Sequence, residues 1–184
     1  MGKSILLISG PSGIGKSYLA KKLASNSNYE IILPTTTRKI RDGEYDGIDY
    51  EFLTKEEYCI SKEEFFMDNF FFDNFYGIRK SNVEDILAKG KIPIGIIYTP
   101  VISQFLDFYP ESFPVFLYPK NINLLRENLL RRDGDLSRYK SALKELIEYD
   151  TSYNKYYKKI YYIESNEDND FIINEINNHF SIYS

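Results

Sequence analysis

Between Ser4 and Ala20 the chain reads SILLISGPSGIGKSYLA, and no other stretch limits its fold so tightly. Ser4 to Ser9 is an apolar run of strand length, Gly10 to Gly15 breaks it, and from Lys16 the apolar residues Leu19, Ala20 and Leu23 fall at helical spacing. Strand, glycine loop and helix follow in that order. The loop matches G-x-x-x-x-G-K-[ST], with Gly10, Gly15, Lys16 and Ser17 in the fixed places. Backbone N–H groups of such a loop, here at Gly10, Ser12, Gly13, Ile14 and Gly15, wrap a polyphosphate, and glycine permits the close approach and left-handed torsions this needs. The helix that follows offers free N–H groups and a partial positive charge to the same anion. Lys16 reaches the β- and γ-phosphates, and the Ser17 hydroxyl ligates Mg²⁺.

Composition narrows the class. A chain of 184 residues suits one α/β core with small insertions, and a net charge of -4 with a pI near 5.2 gives no general attraction to nucleic acid. One cysteine, Cys59, excludes an internal disulfide framework and fits a reducing compartment such as the cytoplasm. Its setting, EEYCISKEEF, predicts a packed thiol rather than a reactive one. The single histidine, His179, has no companion for a zinc site. No run approaches the roughly 18 apolar residues of a membrane span, the N-terminal apolar run is too short for a signal peptide, and Leu6 stands where a myristoylation pattern needs Ser or Thr. Neither a membrane nor a nucleic-acid partner is expected.

Glu30 to Leu33 reads as a second strand closed by Pro34, and Thr35 to Gly47 as a polar, basic connection. In it Arg38 and Arg41 stand three apart behind a threonine run, which suits bidentate binding of a second phosphate. Tyr50 to Leu53 reads as a strand, and Thr54 with Glu57 as a capping box opening a helix through about Phe65. Phe66 to Ile78, broken at Asp73-Asn74, reads as a hairpin or a pair of short strands whose phenylalanines fill a small lobe. Ser81 with Glu84 predicts a capped helix, Ile92 to Tyr98 a strand buried on both faces, Val101 to Phe108 a helix, and Pro114 to Tyr118 a strand. Then come a helix over Asn121 to Arg132, a long one from Leu136 to Tyr157, a strand from Lys159 to Ile163, and a closing helix from Asp168 to Phe180. The fold class is therefore α/β: a P-loop NTPase-type parallel sheet flanked by helices, with a small inserted antiparallel acceptor-binding lobe and a helical lid. Residues 1–184 form one domain, with core 1–33 and 80–184, lobe about 34–79 and lid about 131–140. Ligands gather at the carboxyl ends of parallel strands, so loop and lobe should face one cleft.

Two blocks carry a resemblance. The loop G-P-S-G-I-G-K-S and the run T-T-R-K-I-R-D-G-E-Y-D-G-I-D-Y from Thr36 to Tyr50 are similar to the signatures of the guanylate kinase family of nucleoside monophosphate kinases. The resemblance implies transfer of a phosphoryl group from ATP, with Mg²⁺, to a nucleoside monophosphate, by a monomer or homodimer. It implies that Thr36, Arg38, Arg41, Tyr50 and Tyr76 hold the acceptor, that Lys16, Arg131, Arg132 and Arg138 act on the phosphoryl group in flight, and that Asn166 lies beside adenine. The places where the family reads guanine hold Met67 or Asp68, Ile78 and Tyr98, with Asp68 the acid that a one-residue shift recovers, and Pro34 stands where the family has serine. The strand ending at Tyr98 lacks the usual Asp, which leaves Mg²⁺ to phosphate oxygens, water and Ser17. Phosphate ligands are largely kept and base ligands largely lost. Two other readings stay open: a kinase for a different phosphorylated acceptor, and a non-catalytic interaction module of the same fold.

Overall fold

The apolar run near the N-terminus is a strand, β1 (Leu6–Ser9), buried along its whole length. The computed structural model describes residues 4–71, 73–133, 137–164 and 168–181, without the side chains of residues 132, 133, 137 and 168. After β1 come α1 (Lys16–Ala24), β2 (Tyr29–Ile31), β3 (Thr35–Thr36), β4 (Glu51–Phe52), α2 (Lys55–Ile60), β5 (Phe65–Phe71) and β6 (Asn74–Arg79). The remainder is α3 (Lys80–Ala88), β7 (Ile92–Ile96), α4 (Ile102–Phe108), β8 (Phe113–Pro119), α5 (Ile122–Asp133), α6 (Ser137–Glu148), β9 (Lys159–Ile163) and α7 (Asp168–His179).

Five strands form one parallel sheet in the order β2-β7-β1-β8-β9. Alternation along its central strand divides the interior. Leu6 and Ile8 enter a cluster with Leu19 of α1, Leu125 and Leu129 of α5, and Ile172 and Ile176 of α7. Ile5 and Leu7 enter another with Ile86 of α3, Ile102 and Phe105 of α4, and Met67 and Ile78 of the hairpin. A strand buried at every position and apolar up to Ser9 is what a sheet covered on both faces requires, and each fully buried Leu or Ile contributes about 1.5–3 kcal/mol.

The second sheet has the order β4-β3-β6-β5. Its strand β3 lies in the stretch expected to be a loop: Thr35 and Thr36 pair antiparallel with Gly77 and Tyr76, and parallel with Glu51 and Phe52. The inserted sheet is therefore mixed rather than purely antiparallel. The hairpin β5–β6 turns at Asp73, whose φ of 58° is the left-handed value its turn position needs.

Other departures have local causes. The Thr54–Glu57 capping box forms as expected, but α2 stops at Ile60, because Phe65 is held in β5, stacked on Tyr58 at 4.5 Å and paired with Arg79. Helix α3 starts at Lys80 directly after β6 without a side-chain cap, and Glu84 accepts a hydrogen bond from the Tyr109 hydroxyl (3.2 Å) instead of closing a box. The long helix expected to Tyr157 ends at Glu148 in a π-turn, Tyr149–Tyr153, then a 3₁₀ turn, Asn154–Tyr156. There Tyr149 stacks on Phe116 of β8 at 3.7 Å and Tyr157 meets the same ring edge-on at 5.2 Å. Cys59 is exposed, a correction to the packed thiol: its neighbour Tyr58 takes the inward position on α2. His179 stacks on Phe113 at 3.6 Å, and burial, with the Lys158 charge, lowers its pKa.

Candidate active site

The glycine loop sits at the carboxyl end of β1, where the core sheet and the N-terminus of α1 meet. Gly15 caps α1 with φ 102° and no side-chain cap, so the first helical N–H groups are left for an anion. A Cβ at Gly15 would meet nothing within 4 Å, so the loop is open on that side and the glycine serves its torsion angle. Gly13 is required for a different reason: a Cβ there would lie 3.0 Å from Leu129, and Asn128 donates to the Gly13 carbonyl at 3.0 Å, so α5 braces the loop. Ile14 buries its side chain and leaves its backbone on the loop, whereas Ser12 is half-buried. The Lys16 ammonium donates to the carbonyls of Gly10 (2.5 Å) and Pro11 (3.0 Å), which keeps its tip over the loop. Ser17, in the first turn of α1, is exposed. Uncapped N–H groups, an ammonium and an exposed serine fit a nucleotide's phosphates, and Ser17 fits a magnesium ion bound mainly by phosphate oxygens and water.

A second basic cradle is built from the chain between β3 and β4. Arg38 is 8% exposed and donates from both terminal nitrogens to Glu44 at 2.6 and 2.7 Å, with Nη1 also donating to the Lys39 carbonyl. Its guanidinium lies over the rings of Tyr50 (4.7 Å) and Phe52 (5.4 Å). Glu44 also accepts the Arg41 N–H at 3.1 Å and faces the Arg41 guanidinium at 3.9 Å. Burial opposes both charges, but these bonds prevail: the Glu44 pKa falls and the Arg38 pKa rises, with Tyr50 and Tyr76 adding to the latter. Burial, partly opposed by Arg38, raises the Tyr50 phenol. With Tyr50 and Tyr76 near Arg38, the two arginines are thus brought together by Glu44, which sequence reasoning missed. Its signal was the spacing, three residues from Arg41 and six from Arg38. Lys21 pairs with Asp49 at 3.2 Å, tying this segment to the helix that begins at the glycine loop.

Two of the expected acceptor ligands make other contacts in the fold. Thr36 is fully buried, donates to the Phe75 carbonyl (3.0 Å) and accepts the Arg38 N–H (3.3 Å), so it holds the Arg38 backbone and offers nothing to a ligand. Asp68 stands opposite Gly77, on the face of the hairpin that packs on α2: a Cβ on Gly77 would strike the Tyr58 hydroxyl and Phe65, and Asp68 itself pairs with Lys62 at 3.4 Å. Period-two alternation puts Met67 and Ile78 on the other face, opposite each other and buried with Ile97. Phe71, also on that face, packs its ring 4.7 Å from Tyr98, whose phenol burial pushes up to about 12. Arg131 is exposed on α5 and Arg138 half-buried on α6, while the Arg132 side chain and Asn166 lie outside the described residues. Among the described residues no cluster of His, Cys, Asp or Glu is arranged to hold a metal, and no helix is long and apolar enough to cross a membrane.

A parallel sheet in this order, a phosphate loop between its central strand and first helix, and a basic lobe beside it define a P-loop phosphotransferase fold. The model of the guanylate kinase family matches residues 2–181. The guanylate kinase of Clostridium tetani is 35% identical over 157 residues, covering 82% of this chain and 75% of its relative, and that of Helicobacter pylori is 39% identical over 135 residues, covering 72% and 66%. The crystal structure of guanylate kinase from Anaplasma phagocytophilum superposes with a TM-score of 0.75 at 26% identity, over 98% of this chain and 85% of that one. The chain belongs to the guanylate kinase family.

Proposed function

We propose that the chain is a nucleoside monophosphate kinase that moves the γ-phosphoryl group of ATP to GMP, giving ADP and GDP. The observation that carries this reading is the pair of intact cradles, a glycine loop with Lys16 and an arginine pair pre-oriented by Glu44, tied together through Lys21 and Asp49. Lys16 turns from the Gly10 and Pro11 carbonyls to the donor phosphates, which bind its charge more strongly. Arg38 and Arg41, with the phenols of Tyr50 and Tyr76, hold the acceptor phosphate, whose ionised oxygen attacks without a general base. Arg131, Arg132 and Arg138 stabilise the charge spread over the transferring group, a role whose loss costs about 10³ to 10⁵ in rate. Mg²⁺, held by Ser17 and the phosphate oxygens, supplies charge neutralisation when bound. Asn166 meets the adenine, and the protein acts in the cytoplasm as a monomer or homodimer.

Met67 opposite Ile78, both buried, supports a second reading in which the acceptor is another phosphorylated compound, since apolar groups discriminate between bases far less than hydrogen-bonding ones. Intact phosphate ligands weigh against a non-catalytic module. A coupled assay of ADP release with GMP, dGMP, AMP, CMP, UMP and dTMP tests all three. Turnover of GMP above the rest supports the first reading and turnover of another acceptor the second, while silence with every acceptor and no ATP binding leaves the module.

A further inference from the structure

Beside the carboxyl ends of β1 and β7 lies a polar cluster that the mechanism above leaves unused. Glu145 of α6 is 6% exposed, and its carboxylate accepts a hydrogen bond from the Thr99 hydroxyl at 2.7 Å. Thr99 follows the end of β7 and is fully buried, as is Ser9 at the end of β1, whose hydroxyl donates to the Ile97 carbonyl at 2.9 Å. The buried Tyr157 hydroxyl lies near Ser9 and Thr99 without hydrogen-bond geometry to either. The Glu145 carboxylate is within electrostatic reach of the Lys16 ammonium. Burying a carboxylate costs several kcal/mol unless hydrogen bonds and an opposite charge offset it, and burial does raise its pKa against the pull of Lys16 and Thr99. An apolar residue would brace α6 against the turn after β7 without that cost.

Two further observations give the carboxylate a role. The end of β7 and the residues after it, Ile96, Ile97 and Tyr98, carry no acid, so the acidic group within electrostatic reach of Lys16 on this side comes from another element. Arg138 lies seven positions before Glu145 on α6, two turns away on the same helical face. One helix therefore carries both an arginine expected at the transferring phosphoryl group and the acid facing the loop lysine.

We propose that Glu145 is a positioning residue for phosphoryl transfer: held by Thr99 beside the carboxyl ends of β1 and β7, its carboxyl group orients the Lys16 ammonium toward the donor phosphates and registers α6, with Arg138, against the loop. The inference rests on the kinase reading. Lys16 donates to its own loop carbonyls and must turn to the nucleotide, and a buried carboxyl group within electrostatic reach biases where its charge points. Such a residue acts on the rate more than on binding, because a neutral replacement leaves the nucleotide with an unopposed lysine charge.

The test compares Glu145→Gln with wild type, after wild-type turnover has been measured. Glutamine keeps the shape and still accepts from Thr99, so a purely structural brace predicts kcat within about threefold of wild type. The positioning role predicts kcat lower by about tenfold or more, KM for ATP unchanged or lower, and an unchanged melting temperature. Thr99→Val and Thr99→Ser form a second pair that leaves Glu145 in place. Serine retains wild-type kcat and valine loses it, and this pair decides the matter should Glu145→Gln fail to fold. Near-wild-type kcat in both Glu145→Gln and Thr99→Val, or a rise in KM for ATP that tracks a lowered melting temperature, overturns the proposal alone. A wild type silent with every acceptor overturns the kinase reading and this inference together.

Discussion

Glu44 gives the acceptor cradle its shape, because one carboxylate accepts from both nitrogens of Arg38 and from the Arg41 backbone. Its pKa is depressed in the fold, so its stabilisation is complete above the unfolded value, near 4.5, and disappears as pH falls through the lower folded value. Glu44→Gln should therefore lower the melting temperature at neutral pH, with the gap to wild type closing in melts taken below about pH 4. The same change should raise KM for the acceptor more than KM for ATP, because it loosens only the second cradle. Lys16→Ala should abolish turnover in the ADP-release assay and leave the melting temperature within a few degrees, since two of its hydrogen bonds go to carbonyls of its own loop. Asp68→Asn offers a check on the hairpin's facing: with its side chain turned toward α2 and Lys62, acceptor KM should stay within about twofold of wild type.

Among the elements, those with signals in neighbouring residues were legible in the chain. The glycine loop, the α2 capping box and the Asp73-Asn74 turn each depend on a few consecutive side chains, and each formed. Thr54→Ala should cost about 0.5–2 kcal/mol in denaturant melts, the usual worth of an N-cap. Elements whose ends depend on distant partners were less legible. Strand β3 exists because Thr35 and Thr36 find partners in both β4 and β6, and α6 gives way to a π-turn where Tyr149 meets Phe116. Neither partner can be inferred from the local sequence, since propensity yields to tertiary packing.

At the scale of the whole molecule, the two sheets share an interior. Ile5 and Leu7 from the core pack in one cluster with Met67 and Ile78 from the inserted lobe. Thermal unfolding followed by tyrosine fluorescence and by far-UV circular dichroism should accordingly give coincident transitions, and a separate early transition for the lobe would contradict the shared core. The residues themselves determined the phosphate loop, the alternation of strands and helices and the presence of two arginines for a second anion, because glycine spacing, hydrophobic period and charge are local properties. Only the tertiary structure decided that Thr36 is buried and Asp68 faces α2, that Glu44 gathers the arginines, and that Glu145 reaches Thr99 across 46 residues of chain to come within electrostatic reach of Lys16. Those outcomes depend on which faces meet when the sheets and helices pack, and that is a property of the assembled chain rather than of any segment in it.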